Sequence, residues 1–544
     1  MRVIGISPYH DSSVAVINNN EIEYFFKEER LTRIKRDMWP VKSLEKVKSL
    51  INGSVDKVVI AAPSNQREDS ITHFTLSQLL SKMFDCEVLD FSNNHHEQHA
   101  GLAFYNSGFE QALVFVIDRN GSFDQDNTMR ECESVFIASY PANFNLVYKN
   151  TMAVNDATYV KTNDVVECRS SLGIVKVYET ATSLIGLHPL ENGKTMGLAS
   201  YGREQSFPDY FADGFVIDNY FEHDKVFDNI DTAHNRKLKK YTTDQITQDN
   251  YQMYADYAYH VQKQTQEEVL RLVKEQVAKN NIKNVVITGG YGLNVVSNAY
   301  LRKQSPGINF FFEPIADDTG NSISVAMMLS RHATKDSDIK PIKDTFYHGI
   351  EYDTSSIDGR STTIEELTQK LIDNNSVAVY KGKAEAGPRA LGNRSILFNP
   401  MNKNAKDIVN VIKKREWYRP FAAMILEEHV SDYFITDKKI SKFMTECLQV
   451  RQDKKEIIPG VIHVDDTCRI QTINRDDGLI YELLLSFYNR TGVPVLLNTS
   501  FNLAGEPLVE TPEDALYTYS NSSLDCLWIA NEMKLLEKNV DIRR

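Results

Sequence analysis

The sequence predicts an α/β protein of two domains, the first internally duplicated, and three observations carry that prediction. At 544 residues the chain exceeds what one hydrophobic core usually supports. Short apolar runs and longer helical stretches follow one another in a strand-strand-strand-helix-strand order that occurs twice before residue 290. A polar connection at about 332 to 344, with His-Ala-Thr-Lys-Asp-Ser-Asp-Ile-Lys-Pro inside it, then separates a further α/β pattern from both. The expected domains are therefore 1–338 and 339–544.

In the first repeat, Val3–Ile6, Val14–Ile17 and Ile22–Phe26 read as strands. Asn18-Asn-Asn20 between the last two is a hairpin turn, and Lys57–Ala61 is a further strand after helical material. The second repeat has strands at 113–117, 133–138 and 145–149, a long helix at about 252–279 and the strand Val285–Thr288. A duplicated α/β unit of this kind leaves a cleft between its halves. In the second domain, Val377–Tyr380 and Val493–Leu497 read as strands, and a basic loop and helix fill 382–415.

Composition excludes several classes. A net charge of -13 argues against a protein that grips long nucleic acid electrostatically, although a local basic pocket for one nucleotide is compatible with it. The six cysteines show no C-x-x-C spacing, so neither a zinc ribbon nor a disulfide framework is indicated and a reducing cytoplasm is expected. No run of 18 apolar residues and no signal peptide is visible, so no membrane association is expected.

Chemistry-bearing residues gather in a few places. If residues 95–108 are helical, His95 and His99 project from one face and can share a metal. Asp118 ends the apolar run Leu113–Ile117, where a carboxylate at a strand's carboxyl end can complete the site, and Asp317-Asp318 can supply the next ligand. Two imidazoles with carboxylates suit iron(II) or zinc, and spacing alone does not choose between them. Thr288-Gly289-Gly290-Tyr-Gly292-Leu-Asn294 sits where a strand gives way to a helix and can bring backbone amides to an anion. Asn192-Gly-Lys-Thr-Met-Gly-Leu-Ala-Ser-Tyr-Gly202 has the glycines of a phosphate loop without the Walker spacing. The second domain is more pointed. Arg389 and Arg394 stand among glycines, Lys413, Lys414, Arg415 and Arg419 follow within seven residues of one another, and this density of forked cations suits polyphosphate. His463–Arg469 and Asn498-Thr-Ser-Phe-Asn502 are polar loops after apolar strands, where donors to an acyl or phosphoryl oxygen are commonly placed.

Taken together, several motifs resemble the NodU/CmcH family of O-carbamoyltransferases. They are Gly5-Ile-Ser-x-Tyr-His10-Asp11-Ser-Ser, Glu28-Glu-Arg-Leu-Thr-Arg33-Ile-Lys35, the His95/His99 pair, Lys194-x-Met-Gly-Leu-Ala-x-Tyr-Gly202, Gly387-Pro-Arg-Ala-Leu-Gly-Asn-Arg-Ser395, Lys413-x-Arg-Glu-x-x-Arg-Pro-Phe421 and Asn498–Asn502. The likeness runs from residue 5 to about 530. It implies a duplicated actin-like/Hsp70-like (ASKHA) domain followed by a YrdC-like α/β domain. The second domain would join carbamoyl phosphate and ATP into carbamoyladenylate, and the first would pass the carbamoyl group to a hydroxyl of a small-molecule acceptor such as a sugar, an antibiotic or a hydroxymethylated nucleotide. His95, His99, Asp118 and Asp318 match the family's positions for Fe(II) or another divalent metal, with Mg as a companion of the nucleotide. His10 matches a transfer-site histidine, and Arg389, Lys413, Arg419, Arg469 and Ser500 match positions around the adenylate. Asn498, Gly289, Gly290 and Asn294 are further candidates for nucleotide contact. Acceptor specificity would lie in loops such as 151–170 and 203–250, and an oligomer is left open. Two departures stand out: Arg119-Asn120 follows Asp118 where many relatives have glycines, and Asn321–Ala326 replaces a Gly-Ala-Ala run. Two rivals remain at this stage, threonylcarbamoyladenylate chemistry and a non-catalytic actin-like nucleotide sensor.

Overall fold

The computed structural model describes residues 1–62, 71–124, 128–153, 159–162, 165–168, 173–206, 211, 216–217, 246–339, 346–436 and 442–538. Its first sheet has five strands in the order Glu21–Lys27, Ser13–Asn18, Arg2–Ser7, Lys57–Ile60, Glu87–Asp90. The second sheet also has five, in the order Asn143–Ala153, Met129–Ser139, Gln111–Ile117, Asn284–Thr288, Asn309–Phe312. In chain order both read third, second, first, fourth, fifth. In each, the first strand runs parallel to the fourth and the fourth to the fifth. This repeated order is the duplicated actin-like/Hsp70-like arrangement, and it explains the doubled pattern in the sequence.

The hairpin predicted at Asn18–Asn20 forms, with Asn19 and Asn20 at φ 50° and 62°, the left-handed region that asparagine tolerates and primed turns require. Beyond their first residues, the strands Arg2–Ser7, Lys57–Ile60, Gln111–Ile117 and Asn284–Thr288 at the centre of the two sheets are buried, as sheets covered on two faces demand. The long helix spans Tyr251–Asn280, against 252–279 expected. The helix Gly320–Thr334 lies so close to the strand Arg2–Ser7 that a Cβ on Gly5 would stand 1.8 Å from the Ser322 carbonyl oxygen. Only glycine fits there, and this seats the start of the helix immediately after Asp318.

The last sheet has nine strands, ordered Arg360–Ser361, Lys534–Glu537, Cys526–Ile529, Val377–Tyr380, Arg394–Phe398, Val495–Ser500, Ala422–Leu426, Thr467–Ile473, Cys447–Gln449. A core including Leu397, Ile425, Leu496, Phe487 and Trp528 packs against it. The expectation of loop and helix throughout 382–415 is corrected: Arg394–Phe398 is a buried strand, and only Ala405–Ile412 is helical. The segment Asn192–Ala199 is a helix and not an open phosphate loop.

The chain divides into two compact units, one of Met1–Ser7, Ile17–Glu21 and Gly53–Pro341, the other of Pro8–Val16, Ile22–Asn52 and Ile342–Arg544. The expected connection at 332–344 begins as the end of the helix Gly320–Thr334, and its residues 340–344 lie outside the described ones. Part of 151–170 and most of 203–250 lie outside them too. Among the described residues no helix is long and apolar enough to cross a membrane, and Cys86, Cys132, Cys447, Cys468 and Cys526 are free thiols.

Candidate functional site

In the first unit the helix His95–Ser107 buries both His95 and His99 on one face, with their rings perpendicular and 4.8 Å apart. Asp118, just past the strand Gln111–Ile117, and Asp318, just before the helix Gly320–Thr334, meet them from two sides. His95 Nε2 stands 3.5 Å from Asp118 Oδ2 and 3.7 Å from Asp318 Oδ1, and His99 Nε2 stands 3.2 Å from the latter. One donor atom from each of the four lies within 4.8 Å of the others, so the set can close on a single ion. Asp317 instead accepts a hydrogen bond from Thr319 Oγ1.

The surroundings orient these donors. Asp118 Oδ1 accepts from the Gly290 amide at 2.9 Å, and Ser122 Oγ accepts from the His95 amide at 3.0 Å. Gly289 has φ 79°, and a Cβ there would meet the Ile117 carbonyl oxygen at 2.5 Å, so the glycine turn brings its amides against Asp118. Burial raises the Asp118 carboxyl, but the His95 hydrogen bond and the nearby His99 outweigh it and hold the group well below the carboxylate range. Burial opposes protonation of His95 in turn, yet Asp318 and Asp118 lift its pKa above the ordinary value. His95 and the carboxylates thus favour charge on one another, and the four donors converge where a cation could take the place of the imidazole proton. His96 faces away: its Nδ1 meets Ser134 Oγ at 2.7 Å, and burial lowers it to about 4. The two departures have structural uses here. Arg119 makes a forked pair with Glu179, both bonds 2.8 Å, and Ser324 Oγ accepts from the Leu102 amide at 2.9 Å. Asn294 caps the helix Val295–Gln304, its side chain accepting from the Ser297 amide at 3.0 Å.

His10 belongs to the segment Pro8–Val16 of the other unit, 3.9 Å through Nδ1 from the Asp11 carboxylate.

In the second unit the strand Val495–Ser500 is the hub. Lys413 Nζ donates to the Ser500 carbonyl and lies within 3.2 Å of Ser500 Oγ, 3.1 Å of Asn502 Oδ1 and 2.9 Å of the Asn502 carbonyl oxygen. Asn498, Ala422 and Arg469 form one row across three strands. Asn498 Nδ2 donates to Gln471 Oε1 at 2.7 Å and to the Ala390 carbonyl at 3.2 Å, which fixes the turn carrying Arg389. Glu385 Oε1 gathers that turn, accepting from the amides of Leu391, Asn393 and Arg394 at 2.7, 2.8 and 3.1 Å. Sequence reasoning gave Glu385 and Gln471 no role; the only signal was an acid next to glycines in a cationic stretch.

The cations here are under-compensated. Burial, with Arg415, Arg419 and Lys35 adding repulsion, holds Lys413 well below the lysine range. Burial does the same to Arg415, with Arg419 and Arg469 reinforcing it, and brings Arg469 to about 10. Glu416 pairs with Arg419 at 3.3 Å, and the buried Nε of Arg469 has no hydrogen-bond partner among the described residues. Like charges gathered in this way and partly withdrawn from water favour an incoming anion.

A chain that pairs a metal-competent cluster in a duplicated actin-like fold with an anion-competent α/β unit has the make-up of a group-transfer enzyme. Residues 61–327 match the family model described as the carbamoyltransferase N-terminus, and residues 368–535 match the carbamoyltransferase C-terminus. The chain belongs to the NodU/CmcH family and is a carbamoyltransferase. An uncharacterized protein of Methanocaldococcus jannaschii is 30% identical over 558 residues, covering 97% of this chain and 98% of its own. Nodulation protein NolO of Bradyrhizobium diazoefficiens is 30% identical over 454 residues, covering 80% of this chain and 77% of its own. Among solved structures, HypF of T. kodakarensis is similar at 12% identity and a TM-score of 0.37, over 61% of this chain and 48% of that one.

Proposed function

We propose that this carbamoyltransferase is ATP-dependent and works through carbamoyladenylate. In the second unit, which would be YrdC-like in its chemistry, water first releases carbamate from carbamoyl phosphate, with phosphate leaving. A carbamate oxygen then attacks the α-phosphorus of ATP, the bond to pyrophosphate breaks, and carbamoyladenylate remains. An acceptor hydroxyl then attacks the carbamoyl carbon, AMP leaves, and an O-carbamoyl ester results. Activation is needed because nitrogen donates into the carbamoyl carbonyl and makes it a sluggish electrophile. His10 is proposed to take the hydroxyl proton, since an imidazole ordinarily titrates near working pH.

The observation that carries this reading is the gathering of the buried Lys413 with the half-buried Arg415, Arg419 and Arg469, whose mutual repulsion a polyphosphate would relieve. Asn498 holds the Arg389 turn, and Ser500 and Asn502 hold Lys413, so the cations are set before substrate arrives. His95, His99, Asp118 and Asp318 fit Fe(II) or a similar divalent ion by donor type and mutual distance. Such an ion would polarise a carbonyl or lower the pKa of a bound hydroxyl. The acceptor is a hydroxylated small molecule. The test is incubation with ATP, carbamoyl phosphate and Fe(II), followed by mass spectrometry for carbamoyladenylate and an assay for pyrophosphate. Absence of both, or pyrophosphate that requires threonine and bicarbonate instead, rejects the reading.

A further inference from the structure

Residues 1–60 lie outside both matched family models, and the chemistry above leaves the short helix Glu28–Thr32 without a task. This segment, grouped with the second unit, places two guanidinium groups against that unit's loops. Arg30 is 4% exposed. Its Nη1 donates to the Glu385 carbonyl, its Nη2 donates to the Gly387 carbonyl at 2.8 Å, and Nη1 stands 3.8 Å from the Glu510 carboxylate. Arg33 donates to the carbonyls of Leu508 and Pro507 at 2.7 and 3.0 Å. Lys35 adds its field to that of Arg415 and Arg419 at Lys413.

The carbonyls held by Arg30 open the turn that carries Arg389, while Glu385 Oε1 gathers the amides that close it. Between these ends the chain has no helix or strand, and the two clamps, with the Asn498 bond to the Ala390 carbonyl, shape the turn that carries Arg389. On the far side, Arg394 donates to the carbonyls of Lys381, Gly382 and Glu510, so Glu510 lies between two guanidinium groups. A planar fork can bridge two carbonyls two residues apart, which a lysine ammonium cannot reproduce.

We propose that Arg30 is a positioning residue for adenylate formation, holding the Glu385–Arg394 turn so that Arg389 meets the phosphates. The proposal rests on the reading of the second unit given above. Its test measures pyrophosphate release from carbamoyl phosphate and ATP by the full chain, by Arg30→Lys and by Arg30→Ala, with thermal unfolding of each. Arg30→Ala is expected to lower kcat at least about tenfold, as loss of a buried charge-assisted bond does, with a smaller change in the KM for ATP. Arg30→Lys is expected to fall nearly as far, and added guanidinium ion is expected to restore part of the Arg30→Ala activity while leaving the wild type unchanged. Release within about twofold of wild type, the range of an inconsequential substitution, overturns the proposal. So does a loss that tracks a lowered unfolding temperature and resists guanidinium. If the unsubstituted chain releases no pyrophosphate, the reading of the second unit fails first; if it does, the variants judge Arg30 alone.

Discussion

The cluster at His95, His99, Asp118 and Asp318 and the cations around the strand Val495–Ser500 are both largely withdrawn from water, yet charge is arranged differently in them. In the first, two carboxylates face two imidazoles within 4.8 Å, and His95 and the carboxylates stabilise charge on one another. In the second, Lys413, Arg415 and Arg469 are all depressed by burial, and their cationic neighbours deepen it. The first is arranged for a small cation and the second for a large anion. On the proposed two-step chemistry, substitutions in one place should leave the other's readout intact.

The largest effect is expected from Lys413→Ala, which removes the cation tied to Ser500 and Asn502. Adenylate formation should fall by about 10² to 10³, the usual cost of losing one preorganised charge-stabilising donor, with metal content unchanged. A variant that loses metal instead would erase the separation. His99→Ala should behave in the opposite sense. Metal affinity drops by more than about 100-fold, since even outer-shell changes cost 10- to 100-fold, and carbamoylated product disappears while pyrophosphate release persists. Metal analysis and the two product assays on one preparation decide it. Asn498→Ala should be milder, because it leaves Gln471 Oε1 and the Ala390 carbonyl unpaired without removing a charge. About a tenfold loss of adenylate formation is expected, and an unchanged rate would mean that the Arg389 turn does not depend on this anchor.

Much of this was legible in the sequence. The spacing of His95 and His99 needed only helical periodicity, and the duplicated strand order followed from apolar runs. The strand Arg394–Phe398 was not legible, because an arginine and a serine open it and the glycine-rich text before it reads as loop. The sequence makes Asn294 and Asn498 candidates for ligand contact or for a structural role, and both make structural bonds to partners distant in the chain, Gln262 for one and Gln471 for the other. A polar residue after an apolar strand looks the same in sequence whether it faces a ligand or a carbonyl. Arg30 and Glu385 show the same limit, their contact crossing 355 residues.

The smallest expected effect concerns how the cation site is held. Glu313, at the end of the strand Asn309–Phe312, accepts from both sides: Asn106 Nδ2 lies 3.2 and 3.0 Å from its two oxygens, and the Ile315 amide 2.8 Å from Oε1. It therefore ties the helix of His95 and His99 to the loop that leads to Asp318. Burial outweighs these donors and raises its pKa to about 7 from 4.5. As pH rises from about 4.5 to 7 the unfolded chain releases this proton while the folded one keeps it, so folded stability declines across that window, by up to about 3 kcal/mol, and is flat above it. Glu313→Gln removes the titration and should make stability less dependent on pH between 5 and 7. Denaturant midpoints at pH 5 and pH 8 give the comparison. Parallel slopes for the two proteins would show that Glu313 is ionised throughout, and that the tie is an ion-dipole contact resembling the carboxylates of the cluster beside it.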